Sequence, residues 1–303
     1  MNIQINFSVL RGIEKLPEVE ERIVQGLIDR DITIGSDIDG TLAHDTPGEH
    51  VHVNEGSRVT RLWNGLNRAS NGQAPLMTGR PHTYIEHKFI GREFLAASEH
   101  GLGISFTEGH DAHYWKDTVS DIDRFKAHFQ EAELNTPLLQ GVQIEDHKKA
   151  TATLGFTHLI NPRLDHQITE EMMERMRALT KQVCRTSEEI LSTIGSKGLK
   201  VRQTVTPTNA VVEILPKGVC KAKSFKYLRD KNILATTATT VFCGDSKGDK
   251  SVMKMVAAEE GGIALGVGPK APKCSDVVFA QPDDLLKFLE GSLRLAAPQH
   301  LRM

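Results

Sequence analysis

The stretch Ile34-Gly35-Ser36-Asp37-Ile38-Asp39-Gly40-Thr41-Leu42 constrains this chain more than any other. It reads as a strand that ends in acid: an apolar run leads out of Arg30-Asp31, two carboxylates follow one residue apart, and a glycine lets the backbone turn. Residues i and i+2 of a strand share a face, so Asp37 and Asp39 can reach one bound group. Paired carboxylates repel each other and resist burial unless a cation or a proton answers them. Mg²⁺ suits such a pair, because it takes few carboxylates and shares its shell with water and phosphate oxygens. An EF-hand loop also opens Asp-x-Asp, but its sixth position requires glycine and here holds Leu42.

The same pattern of an apolar strand running into polar chemistry recurs twice. Ala74-Pro75-Leu76-Met77 runs into Thr78-Gly79-Arg80-Pro81, and Pro81 suits the first turn of a helix. A hydroxyl, backbone N–H groups and a guanidinium there can hold an anion. Thr240-Val241-Phe242-Cys243 ends in Gly244-Asp245-Ser246-Lys247-Gly248-Asp249. Strands that alternate with helices imply a largely parallel sheet, whose ligands bind outside the carboxyl ends of the strands. Three separated strand ends then deliver Asp37 and Asp39, Thr78, and Asp245 and Asp249 to one edge.

Around these strands the helical periodicity is plain. Pro17 to Asp31 carries Val19, Ile23, Val24, Leu27 and Ile28 at helical spacing. Val59, Leu62, Trp63 and Leu66 form one face of a helix that Asn54 can cap. Between these helices His44, His50 and His52 fall at irregular spacing and read as a solvated loop near the mouth of the site. Phe94 to Ser98 and Gly103 to Thr107 read as short strands, and Pro282 to Leu295 as a closing helix. From about Asp111 to Pro216 the character differs. A helix over Val119 to Leu134, a hairpin of Val142 to Ile144 with Ala150 to Phe156, a long helix over Thr169 to Ile194, and the strand pair Lys200 to Val205 and Ala210 to Leu215 follow without acidic strand ends. The expectation is an α/β protein with a Rossmann-like parallel-sheet core in two segments, 1–110 and 217–303, and an inserted α+β cap domain over 111–216.

Charge narrows the partners. Lys plus Arg number 37 against 39 Asp plus Glu, a balance that argues against a nucleic-acid surface. Four cysteines without a C-x-x-C pair read as reduced thiols of a cytoplasmic protein. No apolar stretch has the length to cross a bilayer, and the N-terminal residues lack the basic start and apolar run of a secretory signal.

In that order these residues resemble the haloacid dehalogenase superfamily of phosphatases. Asp37 through Thr41 match its Asp-x-Asp-Gly-Thr motif, Thr78 its second-motif hydroxyl, Lys221 its lysine, and Asp245 with Asp249 its last acidic motif. Within the superfamily the chain is most similar to trehalose-6-phosphate phosphatases. That likeness rests on Thr78-Gly79-Arg80-Pro81, Glu99-His100-Gly101 and Val212-Glu213-Ile214-Leu215-Pro216-Lys217-Gly218-Val219-Cys220-Lys221. Sucrose-phosphate and mannosyl-3-phosphoglycerate phosphatases stand close by, and Ser246 follows the sucrose-phosphatase pattern. The resemblance implies Asp37 as nucleophile, Asp39 as general acid and base, and Mg²⁺ held by Asp37, Asp245 and the backbone carbonyl of Asp39. It implies Thr78, Gly79 and Lys221 on the phosphoryl oxygens, with Asp249 and Ser246 in support. The candidate sugar contacts are Glu145, Lys148 and Glu213, the last by its match to the family's Glu before the Pro-Lys-Gly turn, and Arg80 is a candidate substrate contact at the mouth. The expected partner is a small sugar phosphate, with no nucleic acid and no membrane. A phosphomannomutase-like mutase and a silent sugar-phosphate-binding protein remain open beside the phosphatase.

Overall fold

A computed structural model describes residues 7–44, 57–88, 95–105, 113–114, 118–145, 147–161, 169–205 and 210–300. Strand β1 (Val9–Arg11) leads into helix α1 (Leu16–Asp29), which buries Val19, Ile23 and Leu27 and carries Pro17 in its first turn, where a missing N–H costs nothing. Strand β2 (Ile32–Ser36) is buried throughout. Helix α2 (Arg58–Ala69) starts from Ser57, whose hydroxyl accepts from the Thr60 amide. The cap expected at Asn54 is therefore replaced by Ser57, which sits where its oxygen reaches an orphan N–H of the first turn; Asn54 itself lies outside the described residues.

The chain continues through β3 (Leu76–Met77), α3 (His82–Lys88), β4 (Ala96–Ser98), β5 (Gly103–Ser105) and β6 (His113–Tyr114). Phe94, Phe106 and Thr107, expected at strand ends, are outside the described residues, as are His50 and His52. Then come α4 (Val119–Asn135), β7 (Gln143–Ile144), β8 (Ala152–Gly155), α5 (Thr157–Ile160), α6 (Glu170–Thr193), β9 (Leu199–Val205) and β10 (Ala210–Pro216). The last segment holds α7 (Lys221–Asp230), β11 (Thr239–Gly244), α8 (Lys250–Ala257), β12 (Gly262–Val267), β13 (Val277–Phe279) and α9 (Pro282–His300).

One sheet runs in the order β1-β13-β12-β11-β2-β3-β4-β5-β6. From β13 to β4 its strands are parallel, whereas β1 on β13 and β5 on β4 are antiparallel. Isoleucine, valine and leucine fill the parallel strands because helices cover both faces of such a sheet. Ile34, Val241, Ile263, Phe279 and Phe288 belong to its core. The α/β, Rossmann-like expectation holds.

Residues Tyr114–Val219 make a second compact unit, against an expected insertion over 111–216. Its sheet has the order β7-β8-β10-β9, all antiparallel. It has its own apolar core, in which Ile122, Phe125 and Phe129 of α4 and Met176 and Val183 of α6 lie against Leu154, Val212 and Ile214 of the sheet. The threonine before α6, Thr169, caps it by accepting from the Met172 amide.

Candidate active site

The strand order reverses between β2 and β11, which lie side by side with β12 beyond one and β3 beyond the other. At that reversal the connections leave in opposite directions and open a crevice at the carboxyl ends. The register pairs Ser36 with both Cys243 and Leu76, so all three strands end at one level and release Asp37, Gly244-Asp245 and Thr78 just beyond it.

Gly40 turns the first of these loops at φ +74°, and a Cβ placed there would come 2.6 Å from Asp245 Oδ2. Only glycine permits both the conformation and the approach. Gly244 is equally cramped, since a Cβ on it would lie 2.5 Å from that of Asp249. Thr41 donates to Asp245 Oδ1 at 3.5 Å, completing the contact between the two loops.

Lys221 opens α7 and is buried, with only 5% of its surface exposed. A lysine at a helix start usually points to water. Here it donates to Asp37 Oδ2 at 2.9 Å and to Asp249 Oδ1 at 2.5 Å. Asp249 is fully buried, and its other oxygen accepts from the Asp245 amide and from the amide and hydroxyl of Ser246, each at 3.2 Å. Asp37 Oδ1 accepts from the Ile38 amide at 2.8 Å. Carboxylate oxygens of Asp37, Asp245 and Asp249 lie within 4.8 Å of one another.

With all three acids ionised, one ammonium leaves this cluster two negative charges in excess, which one divalent cation would balance. Burial first, then the Asp249 charge, pushes Asp245 up to about 7, with Lys221 opposing. Burial likewise drives Asp37 well above the ordinary carboxylate range; Lys221 lowers it, while Asp249 and Asp39 add to the rise. Burial alone would discharge Lys221, but the Asp249 and Asp37 carboxylates outweigh it and hold the ammonium charged. The donor set is therefore oxygen-rich, crowded and undercompensated, and it fits Mg²⁺.

Asp39 faces elsewhere. Arg80 donates from Nε to Asp39 Oδ2 at 2.9 Å and from Nη2 to Oδ1 at 2.8 Å, occupying both oxygens. The guanidinium lies over the Tyr84 ring, 5.2 Å from its centroid. Burial, with the Asp39 charge adding and Arg80 opposing, raises the Tyr84 phenol to about 12. Arg80, expected as a substrate contact at the mouth, holds the second acid of the motif. Tyr84, on α3 four residues on, was missed; Arg80 precedes that helix, which begins at His82, so helical spacing carried no signal for the pair.

Thr78 is buried, and its hydroxyl oxygen accepts from the Arg80 amide at 3.1 Å, which leaves its O–H to donate. Gly79 packs against the His100 imidazole, where a Cβ would meet Cε1 at 2.7 Å. Glu99, His100 and Gly101 all take positive φ, at 48°, 62° and 88°. That turn ties two loops together: its amides at Glu99 and His100 donate to the Arg80 and Thr78 carbonyls, and the His100 carbonyl accepts from Ser224 of α7. Nothing but the motif itself marked this turn in the sequence.

Glu145, Lys148 and Glu213 belong to the second unit. Lys148 is buried, pairs with Glu145 at 3.0 Å and donates to Thr153 at 2.7 Å. Glu213 stands opposite both Thr153 and Arg202 in the ladder and accepts from Arg202 Nε at 2.8 Å. The three form one polar patch on the face of this sheet that points away from its apolar core.

A family model described as sucrose-6F-phosphate phosphohydrolase matches residues 183–267. Among solved structures, the C-terminal domain of a trehalose-6-phosphate phosphatase from C. albicans aligns over 95% of this chain and 98% of its own, with a TM-score of 0.66 at 16% identity. The C-terminal domain of a trehalose synthase regulatory protein from Candida albicans aligns over 88% and 97%, with a TM-score of 0.60 at 12% identity. A haloacid dehalogenase-like hydrolase from Bacteroides thetaiotaomicron aligns over 86% and 98%, with a TM-score of 0.50 at 15% identity. No curated protein matches the chain in sequence at a significant level.

Proposed function

The chain has the fold of the haloacid dehalogenase superfamily, and from that premise we propose that it is a Mg²⁺-dependent phosphatase acting on a sugar phosphate through an aspartyl-phosphate on Asp37. The observation that carries this reading is the buried lysine shared by two aspartates at a strand-end crevice, Lys221 with Asp37 at 2.9 Å and Asp249 at 2.5 Å, beside a third acid that lacks a compensating charge. A structural ion pair would not need the third carboxylate, whose desolvation is a standing cost.

In the first step a carboxylate oxygen of Asp37 attacks phosphorus, the ester P–O bond breaks, and the leaving sugar oxygen takes a proton from Asp39. In the second, Asp39 takes a proton from water, the water oxygen attacks phosphorus, and the Asp37–phosphorus bond breaks to release inorganic phosphate. Asp37, Asp245 and the Asp39 backbone carbonyl would hold Mg²⁺, which would supply positive charge to the phosphoryl oxygens. Lys221 and the Thr78 hydroxyl grip those oxygens, with Gly79 letting the backbone come close. Asp249 and Ser246 hold Lys221 and the Asp245 loop in place. Glu145, Lys148 and Glu213, on the second unit, carry carboxylate and ammonium groups of the kind that hydrogen-bond sugar hydroxyls. The matched family model and the fold neighbours together favour a disaccharide phosphate, trehalose 6-phosphate or sucrose 6-phosphate.

A second reading has an observation of its own. A regulatory protein shares the fold, so a silent sugar-phosphate binder is the competing outcome. The test is inorganic phosphate release with Mg²⁺ from trehalose 6-phosphate, sucrose 6-phosphate, mannosyl-3-phosphoglycerate and glucose 6-phosphate, with Asp37→Asn alongside. Turnover that Asp37→Asn lowers by more than about 10³-fold, the scale for loss of a nucleophile, supports the phosphatase. Turnover that survives the substitution sinks the nucleophile, and no release from any substrate favours the binder.

A further inference from the structure

We propose that Arg80 is the positioning residue for the proton-transfer step, a role distinct from gripping substrate; this rests on the phosphatase reading above. Both Asp39 oxygens accept from one planar guanidinium, through Nε and Nη2 at 2.9 and 2.8 Å. A side-on fork of this kind fixes the plane of a carboxylate as well as its position, which a point-charge ammonium cannot do. The fork is itself held. The Tyr84 ring lies beneath the guanidinium, and the backbone of Arg80 is pinned at both ends, its amide donating to Thr78 Oγ1 and its carbonyl accepting from the Glu99 amide.

The consequence is specific to one step. To carry a proton, one oxygen of Asp39 has to leave the fork while the other stays in it, so the guanidinium keeps the carboxyl group aimed throughout. When that proton passes to the leaving oxygen, the freed carboxylate oxygen returns to a waiting N–H donor. Arg80 therefore assists the departure of a basic alkoxide, which needs a proton. It does little for a leaving group that departs as a stable anion. A residue that merely gripped phosphate, or merely held the loop, would serve both leaving groups equally.

The experiment compares kcat/KM, which reports the steps through phosphorylation of Asp37, for two substrates with Mg²⁺. One is whichever of trehalose 6-phosphate, sucrose 6-phosphate and glucose 6-phosphate the protein hydrolyses; the other is p-nitrophenyl phosphate. Arg80→Ala is expected to lower the sugar-phosphate value by about 10²-fold or more, the scale of general acid catalysis, and the p-nitrophenyl value by less than about 10-fold. Arg80→Lys keeps the charge without the fork, folds without loss of a cation, and is expected to show the same split at smaller size. Equal losses on both substrates, or none on either, overturn the proposal while leaving the phosphatase standing. Absence of wild-type turnover, or turnover that Asp37→Asn spares, removes the underlying reading and Arg80's role with it.

Discussion

Asp245 sits in an acidic cluster whose chemistry fits a cation, and burial with the neighbouring Asp249 raises its carboxyl to about 7 from an ordinary value of 3.8. An acid whose pKa is raised in the folded state binds more protons folded than unfolded between those two values. Its contribution to the stability of the metal-free protein therefore falls as pH climbs from about 4 to about 7 and stays low above it. A divalent cation removes the penalty by supplying the missing charge, and it must displace a proton to do so. The rise in Tm given by Mg²⁺ over a chelator is thus expected to be larger at about pH 8 than at about pH 5.5, since the gain grows with affinity. Thermal unfolding at the two pH values measures it; equal rises would place the cation elsewhere. The same burial drives the Cys243 thiol up to about 12, so it stays protonated and inert although it adjoins the site.

At the scale of elements, strand ends and turns carry the function, and the tightest is the turn at Gly40. Gly40→Ala forces a side chain into the left-handed region at φ +74° and a Cβ to within 2.6 Å of Asp245 Oδ2. It is expected to cost about 1–2 kcal/mol from backbone strain alone and to lower phosphate release far more than that loss of folded protein explains. Urea unfolding beside an activity assay separates the two; full activity would mean that the loops do not need their close approach. These strand ends were legible in the sequence because acid after an apolar run is a local signal. So were α4 and α6: the stripe Ile122-Phe125-Phe129 is buried, and of the stripe Met172, Met176, Leu179 and Val183 the second and fourth are buried while Met172 and Leu179 pack half-buried against the same core. What stayed hidden depends on distant partners. Strand β1 has three residues and pairs with β13, from the far end of the chain, and α8 follows so closely on the acidic loop that its eight residues read as part of it. Lys221 alone reads as a solvated cation and Arg80 as a substrate contact, and only the fold sets them beside Asp249 and Asp39.

For the whole molecule, the two units have separate apolar cores, and damage to one need not reach the other. Phe129 is fully buried in the second unit, and Phe129→Ala is expected to cost that unit about 3–5 kcal/mol. Amide hydrogen exchange should then lose protection within 118–205 and 210–219 while β2, β11 and β12 keep theirs; loss spread evenly over both would show a single cooperative block. The side-by-side pairing of β2 with β11 has a further consequence, for the order in which the chain acquires structure. Ser36 and Cys243 are partners in the ladder, yet the whole of Tyr114–Val219 lies between them. As the polypeptide leaves the ribosome, that intervening unit can close on itself, whereas β2, with β3 on one side, waits for β11 on its other side until the last third is being made. Contacts so far apart in sequence form late and slowly. The crevice with Asp37, Lys221 and Asp245 is thus among the late things this chain builds, and a polypeptide truncated before β11 holds a finished insert on a sheet that cannot close.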